Sequence, residues 1–192
     1  MKHSALIITS TKHCATAQET LRVQDTVSAL RRAGWVVDVL TPSANPILAA
    51  TLDPSVSVTI VPRLPFLRRL FLFLRGFSLA SKRGYAVLHG IDDGADVARA
   101  IRRMTLRKFA YIAEIHHASD IRCVTVAQAA AVIIPREGSL SEFKSPPPMA
   151  RVSILPDPHA ELADNAFTAA EFASALDGIY TYVLRKHPEV GG

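Results

Sequence analysis

Tyr85-Ala86-Val87-Leu88-His89-Gly90-Ile91-Asp92-Asp93 passes from an apolar strand into the start of a helix within a few residues. Tyr85 to Leu88 shows no alternation of apolar and polar residues, so it predicts a strand buried on both faces. From Asp93 the period changes: Asp96 falls at N3, and Val97, Ile101 and Met104 line one side of a helix. Tyr111 to Ile115 then returns as a second apolar strand. The same alternation runs outward in both directions. Upstream, Ala5 to Thr9 predicts a strand, and the capping box Thr16-Ala17-Gln18-Glu19 opens a helix with Val23, Val27 and Leu30 on one face, stopped by Gly34. Trp35 to Leu40 and Val56 to Val61 read as strands and Phe66 to Lys82 as a helix. Downstream, Ala131 to Ile134 and Val152 to Leu155 read as further strands. Short buried strands alternating with amphipathic helices predict an α/β domain, a parallel sheet with helices on both faces.

Phe167-Thr168-Ala169-Ala170-Glu171-Phe172 is a second capping box, with Phe on both sides as a hydrophobic staple. Phe172, Leu176, Ile179 and Val183 follow at i, i+4, i+7 and i+11, so this C-terminal helix must lay one apolar stripe on something earlier in the chain. With 192 residues and 49% hydrophobic residues, one core is expected. The expected organisation is one Rossmann-like domain over 1–192. Its parts are a core over 1–135, a Pro- and Ser-rich loop over 136–151, a connection over 152–165 and the closing helix over 166–187.

The net charge of +5, from 22 Lys plus Arg against 17 Asp plus Glu, suits an anionic ligand or lipid surface and falls short of a nucleic-acid signature. Cys14 and Cys123 have no metal-ligand spacing, so neither a disulfide framework nor a metal site is expected. The N-terminal apolar run is too short for a signal peptide, and no 18-residue apolar stretch exists, which predicts a cytoplasmic protein. Pro65 to Phe77 is unusual: Arg68, Arg75 and Lys82, seven apart, make a basic stripe on an otherwise apolar helix. Such a helix lies in a membrane interface or against a partner, with Arg68, Arg69, Leu70, Phe73 and Arg75 as the contact set, or else it is a core helix. The first reading places the protein peripherally on the inner face of the membrane.

The turn after the first strand, Thr9-Ser10-Thr11-Lys12-His13-Cys14-Ala15-Thr16, contains no glycine. Neither a dinucleotide fingerprint nor a P-loop is present, and no cofactor is expected. The turn still lies at the carboxyl end of a strand, where open α/β sheets bind ligands, so Lys12 and His13 either face a ligand or are solvated loop residues. His116 is the catalytic candidate. It ends an apolar strand, where its ring can enter the crevice and take a proton from a hydroxyl nucleophile or hold that hydroxyl by a hydrogen bond. His89 ends the neighbouring strand in the same manner, and His117 is adjacent. These two join Lys12 and His13 as candidate substrate-binding residues; the alternative is that the histidines are polar strand caps. Asp92 and Asp93 read as the start of a helix rather than as paired catalytic carboxylates. Cys14 could act as a nucleophile only with a base close by.

In order, these features resemble the N-terminal, acceptor-side domain of GT-B glycosyltransferases, in the large retaining family that uses nucleotide-sugar donors. The resemblance rests on the first strand and the helix ending Arg-Ala-Gly-Trp at Arg32 to Trp35. It continues through Val36 to Pro42, Tyr85 to His89, Ile112 to His117 and Val152 to Asp157. It implies that His116 borders the reaction centre, that 152–165 leads towards a second domain, and that the terminal helix crosses back to pack on the first. The family's donor-binding domain, its glutamates eight apart and its glycine-rich first loop have no counterpart in these residues. The expected function is therefore an acceptor-binding half of a GT-B enzyme in glycan or glycolipid synthesis, acting as a binding or regulatory subunit or completing an active site with a partner. The implied partners are a second glycosyltransferase chain or another copy of this one, and a glycan or lipid-linked acceptor. Two alternatives stay open: an autonomous transferase or hydrolase using His116 and His89, and a membrane-surface adaptor with a vestigial site.

Overall fold

Among the described residues, seven strands form one wholly parallel sheet in the computed structural model. The structure describes residues 3–9, 17–42, 52–62, 67–105, 109–116, 122–135, 141–143, 147–156, 158 and 168–187. The strands are β1 Ser4–Ile8, β2 Val36–Thr41, β3 Ser57–Ile60, β4 Val87–Ile91, β5 Ala110–Glu114, β6 Ala131–Ile134 and β7 Val152–Ile154. Their order across the sheet is β3-β2-β1-β4-β5-β6-β7. The helices are α1 Ala17–Arg32, α2 Arg68–Lys82, α3 Asp93–Met104, α4 Cys123–Gln128 and α5 Ala169–Lys186. This is the predicted α/β, Rossmann-like architecture, closed by its C-terminal helix.

The period-2 pleat divides each strand between two cores. Ala5, Ile7, Val37, Val39, Ile112 and Ile133 face one side, where Val23, Val27 and Leu30 of α1 meet Phe172, Leu176, Tyr180 and Val183 of α5. Leu6, Ile8, Leu40, Leu88, Ala113 and Val132 face the other, under Leu72 of α2 and Val97 and Ile101 of α3. Strands this thoroughly covered need no polar face, which is why their sequences do not alternate.

Two predicted stripes are revised. On α5 the capping box between Thr168 and Glu171 is present, but Tyr180 takes the buried position assigned to Ile179, which is only partly buried. On α3, Val97 and Ile101 are buried, whereas Met104, in the last turn, is 64% exposed.

The helix predicted over Phe66 to Lys82 is α2; Phe66 lies outside the described residues. Leu72, Gly76 and Ala80 are buried, and Phe71, Phe73 and Phe77 pack against the second core. Leu67, Leu70 and Leu74 stay 45, 49 and 52% exposed. α2 is therefore a core helix on one side and an open apolar face on the other, with Phe73 on the core side. Arg69 and Arg75 are exposed and Arg68 is half-buried. Among the described residues no helix is long and apolar enough to cross a membrane.

Candidate functional site

The strand order reverses direction at β1 and β4, the place where open α/β sheets bind ligands beyond the carboxyl ends of their strands. The β4–α3 turn lies there. A Cβ on Gly90 would stand 2.4 Å from Ala95 Cα, and one on Gly94 would stand 2.2 Å from the Ile8 carbonyl oxygen. Neither neighbour is a side chain that could swing aside, so both positions require glycine and α3 starts pressed against the end of β1. Between them Asp92 adopts φ 48° and ψ −121°, the one positive φ among the described non-glycine residues. A non-glycine residue held in such a region costs about 1–3 kcal/mol, and such residues cluster at functional sites.

Asp92 does not cap its helix. It occupies the N-cap position, but its side chain makes no capping bond. Its Oδ1 instead accepts the His116 backbone N–H at 2.8 Å. Asp93 opens α3 with its carboxylate 3.5 Å from Arg69 Nε. The helix-start reading holds for Asp93, an acid in the first turn of α3, while for Asp92 it gets the location right and the role wrong, because the strained turn carries that carboxylate across to β5.

His116 follows β5 directly. Its Nε2 meets Glu114 Oε1 at 3.0 Å, and about a fifth of its side chain remains open. Glu114 is fully buried on the face covered by α1 and α5, where Arg22 Nε donates to Oε1 at 2.7 Å. The remaining guanidinium nitrogens of Arg22 donate to the carbonyls of Leu155 and Pro156, at 3.1 and 2.9 Å, and its carbon lies 4.4 Å above the Phe172 ring. The strand-end reading does not hold for His89. β4 continues to Ile91, and the His89 ring is wholly buried, with Nδ1 2.8 Å from Tyr180 Oη and Nε2 3.0 Å from Glu114 Oε2. Burial holds the Tyr180 hydroxyl protonated well above the usual tyrosine range, so it is able to donate to Nδ1.

Burial alone would raise the Glu114 pKa, but the Arg22 charge, then His116 and His89, hold it well below the ordinary carboxylate range. Burial alone would lower the His116 pKa, but the Glu114 carboxylate, with Asp92 beyond it, lifts it above 6.5. The raised pKa favours the imidazolium, which donates hydrogen bonds and cannot take a proton, so in that form His116 orients or stabilises an oxygen rather than serving as base. With its folded pKa raised, its stability contribution is full below pH 6.5 and lost as pH rises through the folded value; that of Glu114 is present above pH 4.5 and lost as pH falls through its depressed one. The parent should therefore lose thermal stability above pH 6.5 along a limb that His116→Gln flattens. A His116 ring titrating below 6.5 by NMR would contradict this.

Lys12, His13, Cys14 and His117 lie outside the described residues. Of the predicted set, His116 and His89 come together, joined through Glu114. Sequence reasoning passed over Glu114, Arg22 and Tyr180, and read Asp92 only as part of a helix start. The signal was present: a carboxylate inside an apolar strand covered on both faces requires a buried cation, and Arg22 stands beside Val23 on the buried side of α1.

No protein-family model and no curated protein matches the chain. Solved structures do. A sucrose-phosphate synthase chain from Thermosynechococcus elongatus aligns with TM-score 0.60 at 18% identity, over 95% of this chain and 98% of that one. HepE of Anabaena, solved with UDP and glucose, aligns with TM-score 0.56 at 14% identity, over 81% of this chain and 44% of its own. LpCGTa, solved with UDP, aligns with TM-score 0.50 at 12% identity, over 81% of this chain and 53% of its own. These neighbours are GT-B glycosyltransferases, and the likeness shows a shared fold. The chain spans less than half the length of HepE.

Proposed function

We propose that this chain forms the acceptor-facing half of a glycosyltransferase site, as a binding or regulatory subunit or by completing an active site with a partner chain, in glycan or glycolipid synthesis. The observation that carries the reading is the pairing, at the reversal of strand order, of the strained Asp92 with His116, whose ring is held as a hydrogen-bond donor. The buried Asp92 fixes the backbone of His116, and the part-open His116 ring is the group able to hydrogen-bond a saccharide hydroxyl. Support also comes from the sucrose-phosphate synthase chain, which is matched almost end to end. The donor side would be supplied from outside these 192 residues.

The test is calorimetric titration of the chain with UDP-glucose and other nucleotide sugars. No binding is expected, and micromolar affinity for any of them would overturn the half-site reading. A peripheral contact with anionic lipid fits the open side of α2, where Leu67, Leu70 and Leu74 stand exposed beside Arg69 and Arg75. Leu70→Ser with Leu74→Ser should reduce pelleting with anionic liposomes and leave the thermal transition nearly unchanged; unaltered pelleting would remove the lipid contact.

A further inference from the structure

Towards the amino-terminal end of β5, the last turns of α3 form a cleft with β5 and α4. Its volume is about 390 Å³, and it is lined by Arg99, Arg102, Arg103, Tyr111 and Gln128. Tyr111 is the second residue of β5 and His116 lies five residues further on. At about 3.3 Å per residue, the cleft is on the order of 16 Å from the Asp92–His116 site.

Arg99 and Arg102 are held by neutral groups. Arg99 Nε donates to Gln128 Oε1 at 3.0 Å, and Arg102 Nη1 donates to the Gln128 carbonyl at 3.3 Å. Arg151 Nη1 donates to the flanking carbonyls of Ala127 and Ala129, at 3.2 and 3.3 Å. The Arg102 guanidinium carbon also lies 5.6 Å from the centre of the Tyr111 ring, whose hydroxyl donates to the Thr125 carbonyl at 2.5 Å. Arg22, Arg31, Arg69 and Arg83 each meet a carboxylate, whereas Arg99, Arg102, Arg103 and Arg151 meet none among the described residues.

The carboxyl ends of α3 and α4 offset part of this charge. Two helix ends supply about −0.5 each at most, and the Asp96 carboxylate also acts on Tyr111, roughly two negative charges against the three lining arginines and the flanking Arg151. Each guanidinium also carries five N–H donors, of which the contacts above use only a few. Guanidinium forks with unspent donors and a net excess of positive charge match the oxygens of a phosphate group.

We propose that this cleft binds a small phosphate-bearing anion, such as a phosphomonoester or diphosphate, at a site separate from the Asp92–His116 pair. The proposal does not depend on the glycosyltransferase reading. Arg103 is the most informative position because it makes no hydrogen bond among the described residues, so removing it costs charge and not framework.

The experiment follows the arginine Nε resonances of the ¹⁵N-labelled chain during titration with inorganic pyrophosphate, against sodium chloride at equal ionic strength. Saturable shifts of Arg99 and Arg102 are expected. Arg103→Ala should weaken binding about tenfold or more, as loss of one charge-assisted contact implies, without altering the thermal transition, while Arg32→Ala on α1 should leave it unchanged. Unmoved resonances would overturn the proposal, as would an Arg103→Ala chain that binds like the parent. A parallel arm adds phosphatidylcholine vesicles with and without phosphatidic acid. Arginine-dependent pelleting with the acidic vesicles, without any response to pyrophosphate, would assign the cleft to lipid headgroups and overturn the free-ligand proposal.

Discussion

A chain ended at residue 164, before α5, is expected to unfold or aggregate. Phe172, Leu176, Tyr180 and Val183 are each at most 1% exposed. Burying four such side chains contributes about 6–12 kcal/mol at roughly 1.5–3 kcal/mol each, an upper estimate because unfolded chains already bury part of that surface. Even the reduced figure rivals the roughly 5–15 kcal/mol by which a whole domain is stable. The loss would not stop at apolar area. Without Tyr180, His89 Nδ1 loses its hydroxyl partner, and Trp35 loses both the edge-on ring 4.9 Å away and the Asp177 carboxylate. Size-exclusion chromatography and a thermal melt decide the matter; a shortened chain as monomeric and heat-resistant as the parent would make α5 an accessory.

Glu114→Gln should be the most damaging single change near the site, at about 3–5 kcal/mol, because it strands the Arg22 charge in the core. Arg22 is 2% exposed and Glu114 is completely buried, so neither can turn to water for compensation. The companion double variant, Arg22→Met with Glu114→Gln, removes both charges and should cost markedly less than the two single losses added together. Urea midpoints of the four proteins give the coupling directly. His116 supplies an independent reading of the same carboxylate: in Glu114→Gln its pKa should drop, since the charge that raises it is gone. Additive losses together with an unmoved His116 titration would show that Glu114 is not the hub of this network.

The fold was legible because each strand is apolar without alternation and each helix carries its own start signal or stripe. The shortfalls have local causes. Gly90, a poor strand former, hid the continuation of β4 to Ile91, and that misplaced His89 at a strand end. Ile179 and Tyr180 are adjacent on α5, and a stripe drawn from apolar residues alone chose the wrong one. The centre of the site was harder to read because it is built from exceptions. Glu114 looks like noise inside an apolar run, and Arg22 like an ordinary exposed helix charge. The backbone of Asp92 departs from normal geometry in a way that its flanking Gly90 and Gly94 permit but do not announce. Each becomes interpretable only once β4, β5 and α1 lie side by side.

The partnership of α1 with α5 also governs when the molecule can finish folding. Trp35 and Asp177, which meet across that interface, are separated by 142 residues. A nascent chain therefore exposes Val23, Val27 and Leu30 until the last helix has left the ribosome, and closing contacts across so long a loop is intrinsically slow. The wet interval is also when Arg22 and Glu114 can find each other while both are still hydrated. Arrival of α5 then seals a charge pair that forms more readily before the core is dry than after.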